Sequence, residues 1–395
     1  MVPAKKILFV CFADSIHVAR WISSLDSEPW QRFIFPPYHA AIHPDLGAVR
    51  RSTGLLPSHQ AGTKAVASMG PRLLNGAFCR GMTYWHGNND KWRADWLERV
   101  IRRWKPDLVH SIEFQHSGYL CLTVAERMGR DFPPWYATNY GSDIYLFGRL
   151  SNHQERISRL LARIDYYSAE CERDVELAKR MGMRGKTMPV LPNAGGFDLD
   201  LAKSLRGKPP SRRKTIVIKG YQHFSGRALT ALKAIEIVSA KLAGYTIKVY
   251  SATPDVVIAA QLLAREKNLT IICYPHGIPL PHHEMLSMHG DARVSIGIGI
   301  SDGVSTSFLE AIVMGAFPIQ SCTACADEWV KDGVSGFIVA PDDPQSLASK
   351  LMTALTDDTL VDAAAEMNWE TANRRLEKKM VSQAIVQIYR HIFDS

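Results

Sequence analysis

The segment RVSIGIGISDGVSTSFLEAIVM, Arg293 to Met314, allows little besides a buried strand that turns directly into a helix. RVSIGIGI is largely apolar and β-branched, as a strand covered on both faces must be, whereas Val304 to Met314 repeats its apolar residues at helical spacing. Gly303 lets the backbone turn and approach a ligand, and Ser305, Thr306 and Ser307 are helix-capping residue types. A helix start of this kind holds phosphate, because free N–H groups and the positive end of the helix dipole converge there. Asp302 and Glu310 bracket the turn, and an acid one turn inside the helix can accept hydrogen bonds from hydroxyl groups. Taken alone, the pair also fits a capping aspartate followed by a solvated glutamate.

Strand-like runs alternate with helical ones along the chain, which predicts α/β layers with parallel sheets. The first set is Ile7 to Phe12, Leu108 to Ser111, Trp135 to Thr138, Tyr166 to Ser168 and Met188 to Leu191. The second is Thr215 to Lys219, Thr246 to Ser251, Leu269 to Tyr274, Val294 to Ile300, Phe317 to Ser321 and Gly336 to Val339. With 395 residues and 46% hydrophobic content, the chain can build two cores. The polar, proline-bearing DLDLAKSLRGKPPSRRK lies between the sets and places the boundary near Ala202 to Arg213. The expected domains are 1–205 and 206–370, with 371–395 crossing back to the first; Asn368 to Phe393 is helical in pattern.

Open α/β sheets bind ligands beyond the carboxyl ends of their strands, so residues just after strands are candidates. They are Asp14 to His17, Glu113 to Gly118, and Asn139 to Asp143. No G-x-G-x-x-G occurs, which argues against a dinucleotide site. His17 either faces the ligand or sits on a helix surface. Asp143 either meets an acceptor hydroxyl or caps the following helix. Tyr140 can donate a hydrogen bond but is a poor base near neutral pH.

EAIVMGAFPIQS, then ADEW, then DGVSGFIVAPDDPQSLASKL closely resembles the carboxyl-terminal domain of retaining family-4 glycosyltransferases of the GT-B fold. The resemblance implies an α/β protein of two Rossmann-like domains facing each other across a cleft. It puts Asp302 near the transferred sugar, although the family has glutamate there and aspartate reaches one methylene less; it puts Glu310 at the nucleotide ribose. KTIVIKGYQHFSGRALTALKAI resembles the first strand, loop and helix of the donor domain, which implies Lys219, Gly220 and Arg227 against the diphosphate. The family's usual order of its two basic residues is reversed here. SAECERDVELAKRMG and VLPNAGGFD resemble the last helix and strand of the amino-terminal domain. TNYGSDIY resembles the cleft loop that commonly carries a histidine beside the donor sugar, with Tyr140 in its place and His116 as an alternative contributor. Transfer with retention in such enzymes needs no protein nucleophile, so the site works by position and by stabilising the leaving diphosphate.

With 47 basic and 39 acidic residues the chain carries a net charge of +8, which suits an anionic substrate or an anionic membrane surface. Trp92, Trp96, Leu97, Val100, Ile101 and Trp104 lie at helical spacing and read mainly as core; with Tyr84, Trp85 and His86 they otherwise suit docking beside a lipid-linked acceptor. No nucleic-acid module accompanies them. Seven scattered cysteines fit reduced thiols, and Cys322 with Cys325 reads as packing. Asp198-Leu199-Asp200 enters the linker and reads as no metal site; no metal or other cofactor is expected. The opening apolar run is interrupted by Asp14 and reads as a first strand, and no transmembrane segment is seen.

The expectation is a metal-independent, retaining glycosyltransferase that uses a nucleotide diphosphate sugar and a glycan or lipid-linked acceptor in bacterial surface polysaccharide assembly. It would be cytoplasmic, with a peripheral place at the inner face of the plasma membrane left open for a lipid-linked acceptor. The alternatives are a glycogen-synthase-like or phosphorylase-like enzyme on free oligosaccharide, and a catalytically silent GT-B scaffold.

Overall fold

Runs such as Ile7–Val10 and Ile216–Ile218 are apolar on successive residues and wholly excluded from solvent, which only a sheet covered by helices on both faces provides. The computed structural model describes residues 4–38, 42–46, 49–52, 65–68, 91–278 and 280–395. They fall into two units, Met1–Gly195 with Ser382–Ser395, and Gly196–Val381.

In unit 1 the elements run β1 (Lys6–Val10), α1 (Ile16–Ser23), β2 (Gln31–Phe35), β3 (Val49–Ser52), β4 (Ala65–Ser68), α2 (Lys91–Trp104), β5 (Leu108–Ile112), α3 (Tyr119–Met128), β6 (Trp135–Thr138), α4 (Gly141–Tyr145), α5 (Ser151–Arg163), β7 (Tyr166–Ser168), α6 (Glu172–Arg180) and β8 (Lys186–Thr187). Among the described residues they form one parallel sheet, ordered β3-β4-β2-β1-β5-β6-β7-β8. Strand order reverses between β1 and β5. The Tyr389 hydroxyl, on the part of the last helix that belongs to this unit, receives the Trp21 indole N–H at 2.8 Å and lies 2.7 Å from His110 Nδ1. Trp92, Leu97, Val100 and Ile101 of α2 are buried, and Trp96 and Trp104 pack against the same core. Tyr84, Trp85 and His86 lie outside the described residues.

Unit 2 runs α7 (Leu199–Leu205), β9 (Thr215–Lys219), α8 (Ala228–Ile237), β10 (Thr246–Ala252), α9 (Pro254–Lys267), β11 (Thr270–Pro275), α10 (His282–Gly290), β12 (Ala292–Gly297), α11 (Thr306–Met314), β13 (Phe317–Ser321), β14 (Phe337–Val339), α12 (Pro344–Thr356), α13 (Asp358–Arg375) and the start of α14 (Lys378–Asp394). Its parallel sheet is ordered β11-β10-β9-β12-β13-β14 and reverses between β9 and β12.

Three expectations need adjusting. The strand expected at Met188–Leu191 falls at the exposed edge pair Lys186–Thr187, because Pro189 and Pro192 cannot sustain a ladder. The linker-like stretch is part of unit 2: Asp198 Oδ1 caps α7 by accepting the Leu201 N–H at 2.9 Å, and the buried Arg213 donates to the Ala292 and Met314 carbonyls at 3.0 and 3.2 Å. The contact division therefore falls at Gly195–Gly196, ahead of the segment expected to separate the domains. The helical stretch Asn368–Phe393 is interrupted at Leu376, whose carbonyl accepts the Phe197 N–H at 2.7 Å while the Phe197 carbonyl accepts from Lys378 at 2.9 Å. β2, β3 and β4 were not anticipated. Among the described residues no helix is long and apolar enough to cross a membrane.

Candidate active site

A parallel sheet leaves a crevice beyond its strand ends where the strand order reverses. In unit 2 that point lies between β9 and β12, and Lys219 is the last residue of β9. Its Nζ donates to Ser305 Oγ at 3.0 Å and lies 3.5 Å from Asp302 Oδ2. Ser305 occupies the capping position of α11 but does not cap it, since its hydroxyl is shared between Lys219 and Ser307 Oγ, 2.8 Å away. The helix start is therefore left to an outside acceptor, and an ammonium stands beside it. Asp302 turns its second oxygen back to the Gly303 N–H at 2.9 Å, fixing the turn; Gly303 does not use a left-handed backbone. Thr306, the first residue of α11, is half-buried.

Lys219, Tyr221, Asp302, Ser305 and Gln320 line a pocket of about 350 Å³, counted to its open mouth. Gly220, between Lys219 and Tyr221, does not itself line the pocket; it packs against β10, where a Cβ would fall 2.7 Å from Ala252 Cα and 2.8 Å from the Tyr250 carbonyl oxygen. His223, on the same wall, is held below its usual pKa by burial and then by the Lys219 charge.

Glu310, one turn into α11, is 6% exposed. His282 Nε2 approaches one carboxylate oxygen at 3.4 Å and His289 Nε2 the other at 3.7 Å. His289 is fully buried, and burial lowers its pKa against the opposing pull of Glu310. The Glu310 carboxylate accepts no hydrogen bond from a described residue, so at this depth it is a ready acceptor for ligand hydroxyls.

Arg227 departs from expectation. Its guanidinium donates to the carbonyls of His223 and Gly226 at 3.0 and 2.8 Å and lies 3.7 Å from Asp342. It braces the β9–α8 loop and does not line the pocket.

Unit 1 gathers a second group where its own sheet reverses. After β5, Glu113 adopts φ 79°, a strained backbone for a non-glycine residue. Its carboxylate accepts the N–H groups of His116 and Ser117, each near 3.0 Å, and lies 3.1 Å from His116 Nδ1. The His116 ring sits edge-on to Phe12 at 5.4 Å and Tyr38 at 6.1 Å, while Tyr38 donates to Asp14 at 3.2 Å. After β6, Tyr140 lies 3.5 Å from the Ser15 hydroxyl and edge-on to His17, with ring centroids 6.2 Å apart. Burial raises the Tyr140 pKa, which keeps the phenol protonated, a hydrogen-bond donor and not a base.

Asp143 caps; it does not present itself to a ligand. It is 3% exposed, and one oxygen accepts the Phe114 N–H at 2.9 Å and the Tyr140 N–H at 2.7 Å. Burial and then the Glu113 charge raise its pKa well above the usual carboxyl range. Sequence reasoning gave Glu113 only as the start of a candidate segment, with no role, and passed over Gln320, His282 and His289. The polar Gln320 ending the apolar run FPIQS was a usable signal, whereas the Glu113 backbone strain had none.

The family described as glycosyl transferases group 1 matches residues 260–374, from α9 to α13. The curated proteins give no match. Among solved structures, the sucrose-phosphate synthase of Thermosynechococcus elongatus superposes with a TM-score of 0.70 at 14% identity, over 99% of each chain. Anabaena Alr3699/HepE in complex with UDP-glucose gives 0.66 at 13%, over 98% of this chain and 99% of that one. The Burkholderia xenovorans α,α-trehalose-phosphate synthase (UDP-forming) in complex with glucose-6-phosphate gives 0.69 at 14%, over 98% and 99%. The chain has the GT-B fold. Its second unit carries a segment of the glycosyl transferases group 1 kind.

Proposed function

We propose that the protein is a retaining glycosyltransferase that moves a sugar from a nucleotide diphosphate sugar to a glycan or lipid-linked glycan, in bacterial surface polysaccharide assembly. The observation that carries this is Lys219 held between Ser305 and Asp302 beside the start of α11. A cation and an uncapped helix start suit the diphosphate, Asp302 suits the sugar, and the buried Glu310 suits the ribose diol. His116, oriented by Glu113, and Tyr140 with His17 are the groups in unit 1 for an acceptor, while Asp143 acts by holding their loops.

Donor phosphate takes the acceptor proton in this reading, and Lys219 with the helix dipole meets the leaving charge, so no metal takes part. The protein works in the cytoplasm, at the inner face of the plasma membrane when its acceptor is lipid-linked.

Thermal-shift titration against UDP, GDP, ADP, CMP and dTDP tests the donor, with UDP-glucose as the first sugar nucleotide because Alr3699/HepE was solved with it. Transfer to oligosaccharide, glucose-6-phosphate and lipid-linked glycan, with and without EDTA, follows by NMR of the product anomer. Stabilisation by one diphosphate, EDTA resistance and a retained anomer are expected. A panel with no stabilising nucleotide sinks the donor site, and strict dependence on a divalent cation sinks the metal-free mechanism.

A further inference from the structure

We propose that Gln320 reads a hydroxyl group on the sugar of the donor, a specificity role that rests on the donor-site reading above. Gln320 is the penultimate residue of β13, 3% exposed, and it lines the pocket with Lys219 and Asp302. Its neighbour Ile319 joins the hydrophobic core, so by strand alternation the Gln320 side chain stands on the opposite face.

The side-chain amide makes no hydrogen bond to any described residue. An amide offers two donors and an acceptor, and neither amide atom is among the fully buried unpartnered ones, so the amide opens to the pocket and not into the packing. Space for it comes from the adjacent strand: Gly297 of β12 is the register partner of Gln320, and a Cβ on Gly297 would fall 2.5 Å from Nε2 and 2.8 Å from Oε1. The glycine admits the amide without supplying it a partner. Nearby, the Ser321 hydroxyl is already engaged by the Gly299 N–H at 3.1 Å. Gln320 is thus an uncommitted polar group in the pocket wall. A sugar hydroxyl both donates and accepts and satisfies the two ends of the amide, which a deoxy carbon cannot.

The test uses full-length wild type, Gln320→Leu and Gln320→Glu, titrated calorimetrically with UDP and UDP-glucose and with GDP and GDP-mannose. For the pair that wild type binds, Gln320→Leu is expected to weaken the sugar nucleotide about tenfold or more while changing the plain diphosphate less than about twofold. The retained diphosphate affinity shows that the site is folded. Should the leucine variant fail to fold, Gln320→Glu keeps the shape, loses the donor, and is expected to show the same selective loss. Equal losses on both ligands, or none on either, overturn the role of Gln320 alone. A wild type that binds neither pair nor any of ADP, CMP and dTDP removes the donor reading and this inference with it.

Discussion

Lys219 at the end of β9 donates to Ser305 at the start of α11 across 3.0 Å, joining a strand terminus to a helix terminus where the sheet reverses. The contact preorganises a cation beside the N–H groups of Thr306 and Ser307, which have no acceptor among the described residues, and that is the arrangement a diphosphate needs. Lys219→Ala is expected to weaken a bound nucleoside diphosphate by about 1.5–3 kcal/mol, the range of a charge-assisted hydrogen bond, and to leave the bare nucleoside unchanged. Calorimetry with both ligands decides it: equal losses would place the ammonium away from the phosphates.

Glu310 gives a separate readout on the same helix. Its carboxylate lies among His282 and His289 with no hydrogen bond accepted from a described residue, so ribose hydroxyls are its natural donors. Glu310→Gln should cost about tenfold or more in ribonucleotide affinity and much less for the 2′-deoxy form, because the deoxy ligand has already lost one of the two hydroxyls. A variant that binds both ligands as wild type does would take Glu310 out of the site.

Asp143 separates position from chemistry in unit 1. Replacing it with alanine strands the buried N–H groups of Phe114 and Tyr140, at about 1–3 kcal/mol each. Asparagine keeps an acceptor oxygen and should cost much less. The sign with pH is set by the raised folded pKa: the acid's contribution is present when it is protonated and is lost as pH rises from the usual carboxyl range through the folded value. Denaturant unfolding of wild type and Asp143→Asn from pH 4 to 7 should therefore show the asparagine variant gaining on wild type as pH rises. Parallel profiles would contradict the buried-acid account.

The parts of this molecule legible in sequence are those where one residue pattern has one physical solution. The strands Trp135–Thr138, Thr215–Lys219 and Phe317–Ser321 were read to the residue because a short apolar run bounded by turn signals fits little else. Asp302 and Ser305 were legible together because strand, turn and helix start are consecutive there, whereas Lys219, on a distant strand, entered only through the family resemblance. β2 was missed: its polar start, Gln31 and Arg32, hides an inward-facing run, in which the buried Arg32 donates to Asp26 and to the Ile22 carbonyl, each at 2.8 Å. The contacts of Arg227 were not legible, because type and spacing say nothing of which carbonyls a guanidinium will find. The Glu113 cradle depends on a backbone torsion that the sequence does not encode locally.

His110 supplies the last expectation, through proton accounting. The Trp21 indole can only donate, so Tyr389 accepts from it and turns its own proton toward His110 Nδ1, 2.7 Å away. His110 Nε2 then carries the hydrogen and donates to Thr138 Oγ1 at 2.9 Å, while the ring stacks on Tyr136 at 4.0 Å. A second proton on this ring would face a donor in a fully buried site, and burial lowers its pKa well below the usual value. The unfolded chain protonates His110 near pH 6.5 and the folded chain does not, so the contribution of His110 to stability is constant above that value and falls below it, by up to about 1.4 kcal/mol per pH unit. His110→Gln removes the titrating group, lowering stability at neutral pH and flattening its acid dependence. Tryptophan-monitored denaturant unfolding at pH 7.5, 6.5 and 5.5 compares the two slopes. Because His289 and His223 also have lowered pKa values and titrate in both proteins, only the difference between the slopes reports His110. Identical slopes would mean that His110 takes up its proton in the folded state, against the direction of donation drawn from Trp21 through Tyr389.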